Sequence, residues 1–313
     1  MHMKGEAYYY VTSTKPRKWI PLGSDLCEAR GKWADLENGP RTETLVSNLI
    51  DEWLNSEKFA ALADTSRSCY SSISKQVKEF FSGADVTDIK PHHIAAWMDA
   101  HPSRTQANLG RSLLSNVLTL AVRQGLIERN PAAEIKRHTI PRRERYLTDE
   151  EFLAIRSNAT PVLQAAMGIG YVTAARISDI LAIRLNSWTN EGLFITQLKT
   201  KKSQLFKRSP ALDAAIEFAR SIPRPVRGIY LLCTQKEQPY SYATLNQWWQ
   251  EAVDKSGVKD AHFHDIRGKS ATDTKRGGGD YQALLGHSSK AMSDRYIKLE
   301  DAQKVDALQR KIQ

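Results

Sequence analysis

Arg176, Lys199, His264, Arg267, His287 and Tyr296 follow one another through the second half of the chain. Their types suit work on a phosphodiester better than they suit packing. Guanidiniums grip phosphate oxygens in pairs, and an ammonium adds a compact charge. Imidazoles move protons near neutral pH, and a phenol becomes a nucleophile once its proton is taken. Arg176 stands in Thr173-Ala174-Ala175-Arg176-Ile177-Ser178-Asp179, between two apolar helical segments. Burying a guanidinium unpaired is costly, so it needs an ion pair with Asp179 or a phosphate. His264 and Arg267, in His-Asp-Ile-Arg, are spaced to share one helical face. Gly286 allows a tight turn that aims His287 at a site rather than into a core. Lys199, Lys201 and Lys202 crowd a turn that has no acid.

Composition narrows the partner. The chain has 313 residues, 41% of them hydrophobic, and a formal net charge of +10. That is room for two or three domains. A basic balance of this size suits a polyanion, because lysine and arginine displace its condensed counterions. No apolar run nears the roughly 18 residues of a membrane span. The first residues carry no apolar signal region, so a cytoplasmic location is expected. Cys27, Cys69 and Cys233 are far apart; free, buried thiols are expected, with no zinc site or disulfide framework. There is no phosphate-binding glycine loop and no paired-acid metal site, so no metal or other cofactor is expected.

The elements that must position the six residues read mainly as helices. Residues 8–22 are aromatic and β-branched around a Lys-Pro-Arg-Lys break, which predicts a small hairpin or short sheet followed by a helix from Leu26 to Leu36. Asn38-Gly39-Pro40 breaks the chain. Apolar stripes then predict helices carrying Leu45, Leu49, Ile50, Trp53 and Leu54; Ile73, Val77, Phe80 and Phe81; Ile94, Trp97 and Met98; and Leu109, Leu113, Val117, Leu118, Leu120 and Ala121. A basic stretch, 136–145, reads as an extended linker. Thr148 then caps a new helix. Strands at 194–197 and 205–209 flank the lysine turn. Tyr296 is expected on a helix anchored by Met292 and Ile297, and Leu299 to Gln313 on an amphipathic one.

The ordered set resembles the tyrosine recombinases, specifically the phage integrases. Gly125-Leu126-Ile127-Glu128-Arg129-Asn130-Pro131, Leu147-Thr148-Asp149-Glu150-Glu151, His264-Asp265-Ile266-Arg267 and Leu284-Leu285-Gly286-His287 extend the resemblance over nearly the whole chain. It implies a mainly α fold with small β elements: an arm-type DNA-binding sheet domain at 1–41, a helical core-binding domain at 42–135, the linker 136–145, and a catalytic domain at 146–313. It implies DNA integration or excision through a phosphotyrosyl intermediate, without metal or ATP. Tyr296 would be the nucleophile. Arg176, Arg267 and His287 would stabilise the phosphorane, His264 would accept the tyrosine proton, and Asp179 would orient local groups. Lys199 matches the family's general acid, with Lys201 the alternative. DNA contacts are expected from Lys15, Arg17, Lys18, Arg104, Asn108, Arg111, Lys136, Arg137, Arg142, Arg143, Lys201 and Lys202. Expected partners are duplex DNA with core-type and arm-type sites, a homo-tetramer on DNA, and DNA-bending accessory proteins. The rival readings are a resolvase or transposon recombinase of the same chemistry, a type IB topoisomerase, and a catalytically silent DNA-binding regulator. The Gly277-Gly278-Gly279 run departs from the longer helical connection usual before the second histidine.

Overall fold

The computed structural model describes residues 1–12, 16–38, 44–223 and 228–297. Lys15 and the helix expected over 299–313 lie outside them. The described chain is mostly helical and separates into two compact units, Met1–Arg142 and Arg143–Gln313. Among the described residues no helix is long and apolar enough to cross a membrane.

In the first unit, β1 (His2–Lys4), β2 (Ala7–Val11) and β3 (Trp19–Gly23) form an antiparallel sheet in that order. The hairpin is as its β-branched and aromatic residues predict. β1 was not expected, because His-Met-Lys carries no strand pattern; it is recruited by pairing with Tyr8 and Tyr9. Helix α1 follows (Leu26–Asn38).

Next come α2 (Val46–Leu54), α3 (Glu57–Ala60), α4 (Asp64–Phe80), α5 (Pro91–Ala100) and α6 (Arg104–Arg123). Their predicted stripes meet in one core that includes Leu49, Ile50, Trp53, Ile73, Val77, Trp97, Leu113 and Leu118. Leu45, half-buried just ahead of α2, is one exception and Phe80 is the other. Phe80 is exposed and lies edge-on to Trp97, while its neighbour Phe81 takes the buried position. Gly110 is what lets α5 and α6 close, because a Cβ there would meet the Trp97 ring at 2.6 Å.

The second unit comprises α7 (Asp149–Ser157), α8 (Pro161–Thr173), α9 (Ile177–Leu181), β4 (Gly192–Thr196), β5 (Ser203–Lys207), α10 (Pro210–Ser221), α11 (Tyr242–Ser256), α12 (Asp265–Arg276), α13 (Tyr281–Leu285) and α14 (Lys290–Ser293). Helix α8 is apolar on most sides because it is central, packed by α10 and α12. The capping box of Thr148 and Glu151 starts α7 as its sequence predicts. β4 and β5 form an antiparallel hairpin. The buried Trp249 donates its indole N–H to the Ala261 carbonyl at 2.9 Å, fixing α11 to the chain that leads into α12.

Two expectations are corrected here. Cys27 and Cys69 are exposed, and only Cys233 is buried. Tyr296 lies in a turn after the single turn of α14, not on a helix, and Met292 is exposed rather than anchoring. The basic stretch 136–145 has no regular secondary structure, and hydrogen bonds engage groups in and around it. The Asn108 side chain donates to the His138 carbonyl and accepts from its amide, at 3.0 and 2.8 Å. Arg111 donates to the carbonyls of Ile135, at 3.2 Å, and Ala132. Arg143 clamps the buried Asp265 through Nε, 3.0 Å from Oδ1, and Nη2, 2.9 Å from Oδ2, and reaches Asp260 at 2.8 Å. These hydrogen bonds hold the fold, and a phosphate would have to compete with them for Asn108, Arg111 and Arg143.

Candidate active site

The first arginine is placed by the way α8 ends. Ala174 takes a left-handed conformation (φ 50) and the chain reverses into Arg176, the residue that precedes the first turn of α9. Its guanidinium donates to Gln197 Oε1 at 3.0 Å and lies 3.8 Å from Asp179. Asp179 is buried, and its other oxygen accepts from the Leu198 amide at 2.9 Å. Its nearer bond is therefore to the β4–β5 turn rather than to Arg176.

Arg267 is 3% exposed on the buried face of α12. It donates to the carbonyl of Ala174, to that of Leu285 at 2.8 Å, and to His287 Nε2 at 3.3 Å. The guanidinium lies 5.1 Å from the centre of the Tyr296 ring. No carboxylate among the described residues comes within ion-pair distance of it, and its Nε is buried without a hydrogen-bond partner. Burial, then repulsion by Arg176, lowers its pKa to about 10. A buried cation with no carboxylate in contact, held beside a second cation with only Asp179 acting on it from a distance, is a strong demand for an anion.

Gly286 ends α13 in the left-handed region (φ 67) and turns His287 back toward Arg267. A Cβ at Gly286 would meet Gln204 Oε1 at 2.5 Å and Gln197 Nε2 at 2.6 Å, so any other residue would have to displace these amides and also hold a left-handed backbone. Arginine can only donate, so His287 Nε2 must be its acceptor. The proton therefore sits on Nδ1, which faces Ser293 Oγ at 3.1 Å. Burial, with Arg267, Arg176 and Lys202 nearby, lowers the His287 pKa to about 4. The ring is neutral at pH 7.

The Tyr296 ring lies between the two imidazoles, 5.2 Å from His287 and 5.6 Å from His264, centre to centre. His264 is exposed at the start of α12. Together with Arg176 and Arg267 it lines a cavity of about 510 Å³. Lys199, Lys201 and Lys202 are exposed on the β4–β5 turn. That turn is closed by hydrogen bonds of 2.8 Å, from the Gln197 amide to the Lys202 carbonyl and from the Lys201 amide to the Gln197 carbonyl. Lys201 holds its left-handed position (φ 58).

Five of the six residues named from sequence therefore converge, through hydrogen bonds, ring packing or the shared cavity: Arg176, His264, Arg267, His287 and Tyr296. Lys199 belongs to the turn that Asp179 and Gln197 fasten to Arg176. Of the expected DNA contacts, Arg17, Lys18, Arg104, Lys136 and Arg142 are exposed, and Arg137 donates to Ser112 at 3.1 Å. Sequence reading missed Tyr242, Asn246 and Gln250, which line the same cavity from α11. Their spacing of four was a readable signal. It also missed Gln197 and Ser293, for which no local pattern existed.

Comparison with known proteins places the chain. The phage integrase family profile matches residues 145–303. The integrase of Escherichia phage HK022 is 24% identical over 329 residues, covering 95% of this chain and 92% of that protein. The integrase of Escherichia phage lambda is 24% identical over 327 residues, with the same shares. The fold matches a lambda integrase dimer bound to a COC′ core site with a TM-score of 0.71, at 22% identity and 99% of both chains. It also matches the Tn1549 transposon integrase in complex with circular intermediate DNA, TM-score 0.64, at 14% identity, 81% of this chain and 95% of that one. The chain belongs to the phage integrase family and is a tyrosine site-specific recombinase.

Proposed function

We propose that the chain integrates and excises a phage or other mobile element by cutting and rejoining duplex DNA at Tyr296. The observation that carries this reading is Arg267: a buried guanidinium without a carboxylate, stacked on a tyrosine and flanked by Arg176 and a neutral histidine. A scissile phosphate seated there would supply the missing negative charge. The Tyr296 hydroxyl oxygen then attacks phosphorus, and its proton passes to His264. Arg176 and Arg267 hold the non-bridging oxygens as charge builds on the phosphorane. The bond from phosphorus to the 5′-oxygen breaks, and Lys199 gives that oxygen its proton. A 5′-hydroxyl from a partner strand reverses these steps and restores the phosphodiester. The bond's energy stays in the tyrosyl ester throughout.

The homologous lambda integrase is bound to core-site DNA as a dimer and to a Holliday junction as a tetramer. In this reading the present chain also works as a tetramer on two duplexes. Residues 42–135 and the catalytic domain grip the core site, and the N-terminal sheet, with Arg17 and Lys18 exposed at its hairpin, grips arm-type sites. The test is covalent capture of a nicked suicide duplex built from the attachment site flanking the gene. Wild-type chain should give a denaturation-resistant adduct, and Tyr296→Phe should give none while binding the same DNA. An adduct in Tyr296→Phe refutes the nucleophile; none in wild type favours a silent DNA-binding regulator.

A further inference from the structure

Gln197 is 3% exposed, and its amide uses every hydrogen-bonding position it has. Oε1 accepts from Arg176 at 3.0 Å and from the Thr200 hydroxyl at 2.8 Å. Nε2 donates to Gln204 Oε1 at 2.7 Å and to the Leu285 carbonyl at 3.3 Å. The orientation of the amide is forced chemically: a guanidinium can only donate, and a carbonyl can only accept. The Leu285 carbonyl also accepts from Arg267 at 2.8 Å. Gly286, the residue before His287, is fitted so closely against Gln197 and Gln204 that a Cβ there would have to displace their amides. One buried side chain thus touches the first arginine, the lysine turn, and the carbonyl that seats the second arginine just before the second histidine.

We propose that Gln197 is a positioning residue for cleavage, setting the Lys199 turn in register with Arg176 and with the Leu285–His287 segment. The turn is otherwise tied down by the Leu198 amide on Asp179 and by its own closing bonds. Its side chains are exposed, so the turn has little packing to hold it. The Thr200–Gln197 bond adds a side-chain tie on the far side of Lys199 to the backbone bonds at Lys201 and Lys202. Without it the lysine still carries its charge but is not held where the leaving 5′-oxygen departs. A misplacement of about 1 Å at a reacting group costs on the order of 10²-fold in rate.

The inference rests on the reading of Lys199 as the proton donor, and the test separates the two. Full-length wild type, Gln197→Leu, Thr200→Val and Lys199→Ala are assayed on two nicked suicide duplexes. One carries an ordinary scissile phosphodiester and the other a 5′-bridging sulfur, which leaves as a thiolate without needing a proton. Gln197→Leu should cut the ordinary duplex about 10²-fold more slowly and Thr200→Val about tenfold, with binding of the uncut duplex kept within about threefold. In both, the rate ratio of sulfur to oxygen substrate should rise at least tenfold above wild type, toward that of Lys199→Ala. Thr200 is exposed, so its valine variant preserves the test if Gln197→Leu fails to fold. A raised ratio in Lys199→Ala without one in Gln197→Leu and Thr200→Val overturns the positioning role alone. An unchanged ratio in Lys199→Ala overturns the proton-donor reading, and this proposal falls with it.

Discussion

Replacing Arg143 by alanine separates two jobs that this arginine could do. Sequence alone makes it a DNA-binding residue in a basic linker. The structure engages it internally: Nε, at 3.0 and 3.3 Å, and Nη2, at 2.9 Å, donate to the Asp265 carboxylate, Nη1 donates to Asp260 Oδ1 at 2.8 Å, and Nη2 also donates to the Asp260 carbonyl. Asp265 is 4% exposed in its side chain and Arg143 is 32% exposed. In Arg143→Ala the buried carboxylate keeps the His262 amide, at 2.8 Å, but is left without its cation. Breaking a buried pair from one side costs about 3–5 kcal/mol, and the partial exposure of Arg143 puts the loss near the lower figure. A unit of this size shifts by about 2–4 °C per kcal/mol. Thermal unfolding of the catalytic unit in the full chain should therefore fall by roughly 6–12 °C. Asp265→Asn in the Arg143→Ala background should recover part of the loss, because a neutral amide needs no counter-ion. Titrations of DNA affinity against salt supply the second readout. If Arg143 instead grips a phosphate, its removal lowers the log–log slope by about one and leaves unfolding unmoved. That pattern refutes the internal role, and a lowered midpoint with an unchanged slope confirms it.

In the β4–β5 turn, Lys199→Ala should be rescued selectively by a 5′-bridging sulfur and Arg176→Ala should not. Rescue of Lys201→Ala instead would move the proton donor two residues along. His287 titrates normally near 6.5 but is held at about 4 in the fold. As pH falls, the unfolded chain takes this proton first, so the contribution of His287 to stability is intact above pH 6.5 and declines between 6.5 and 4. His287→Gln should flatten the loss of unfolding midpoint across that window; a slope equal to wild type removes the argument. Deleting residues 1–41 should abolish binding to arm-type duplexes and spare core-site binding, measured by mobility shift. Equal loss of both would break the proposed division of labour.

The sequence by itself determined the helices of the bundle, because an apolar stripe at helical period has to be buried on one side whatever it packs against. Leu49, Ile50 and Trp53, or Leu113, Val117 and Leu118, were readable as core for that reason. The chemistry-bearing residues were readable because Arg176, Arg267 and His287 stand in short strings whose turns and charges make poor core. Tertiary structure decided everything that depends on pairing across the chain. Whether Arg143 faces solvent or Asp265 depends on a partner 122 positions away. Gln197 looks like any strand-end glutamine until the Leu285 carbonyl, 88 positions on, arrives beside it. Phe80 and Phe81 carry the same hydrophobicity, and only the packed bundle settles that Phe81 joins the core while Phe80 stays exposed. The His287 proton is likewise a tertiary property. Its low pKa does not exist until the ring is buried beside Arg267, nor its Nδ1 position until Arg267 and Ser293 flank it. Periodicity and turn chemistry are local and survive in a linear reading. Donor–acceptor matching and burial of charge belong to groups that only folding brings within about 3 Å.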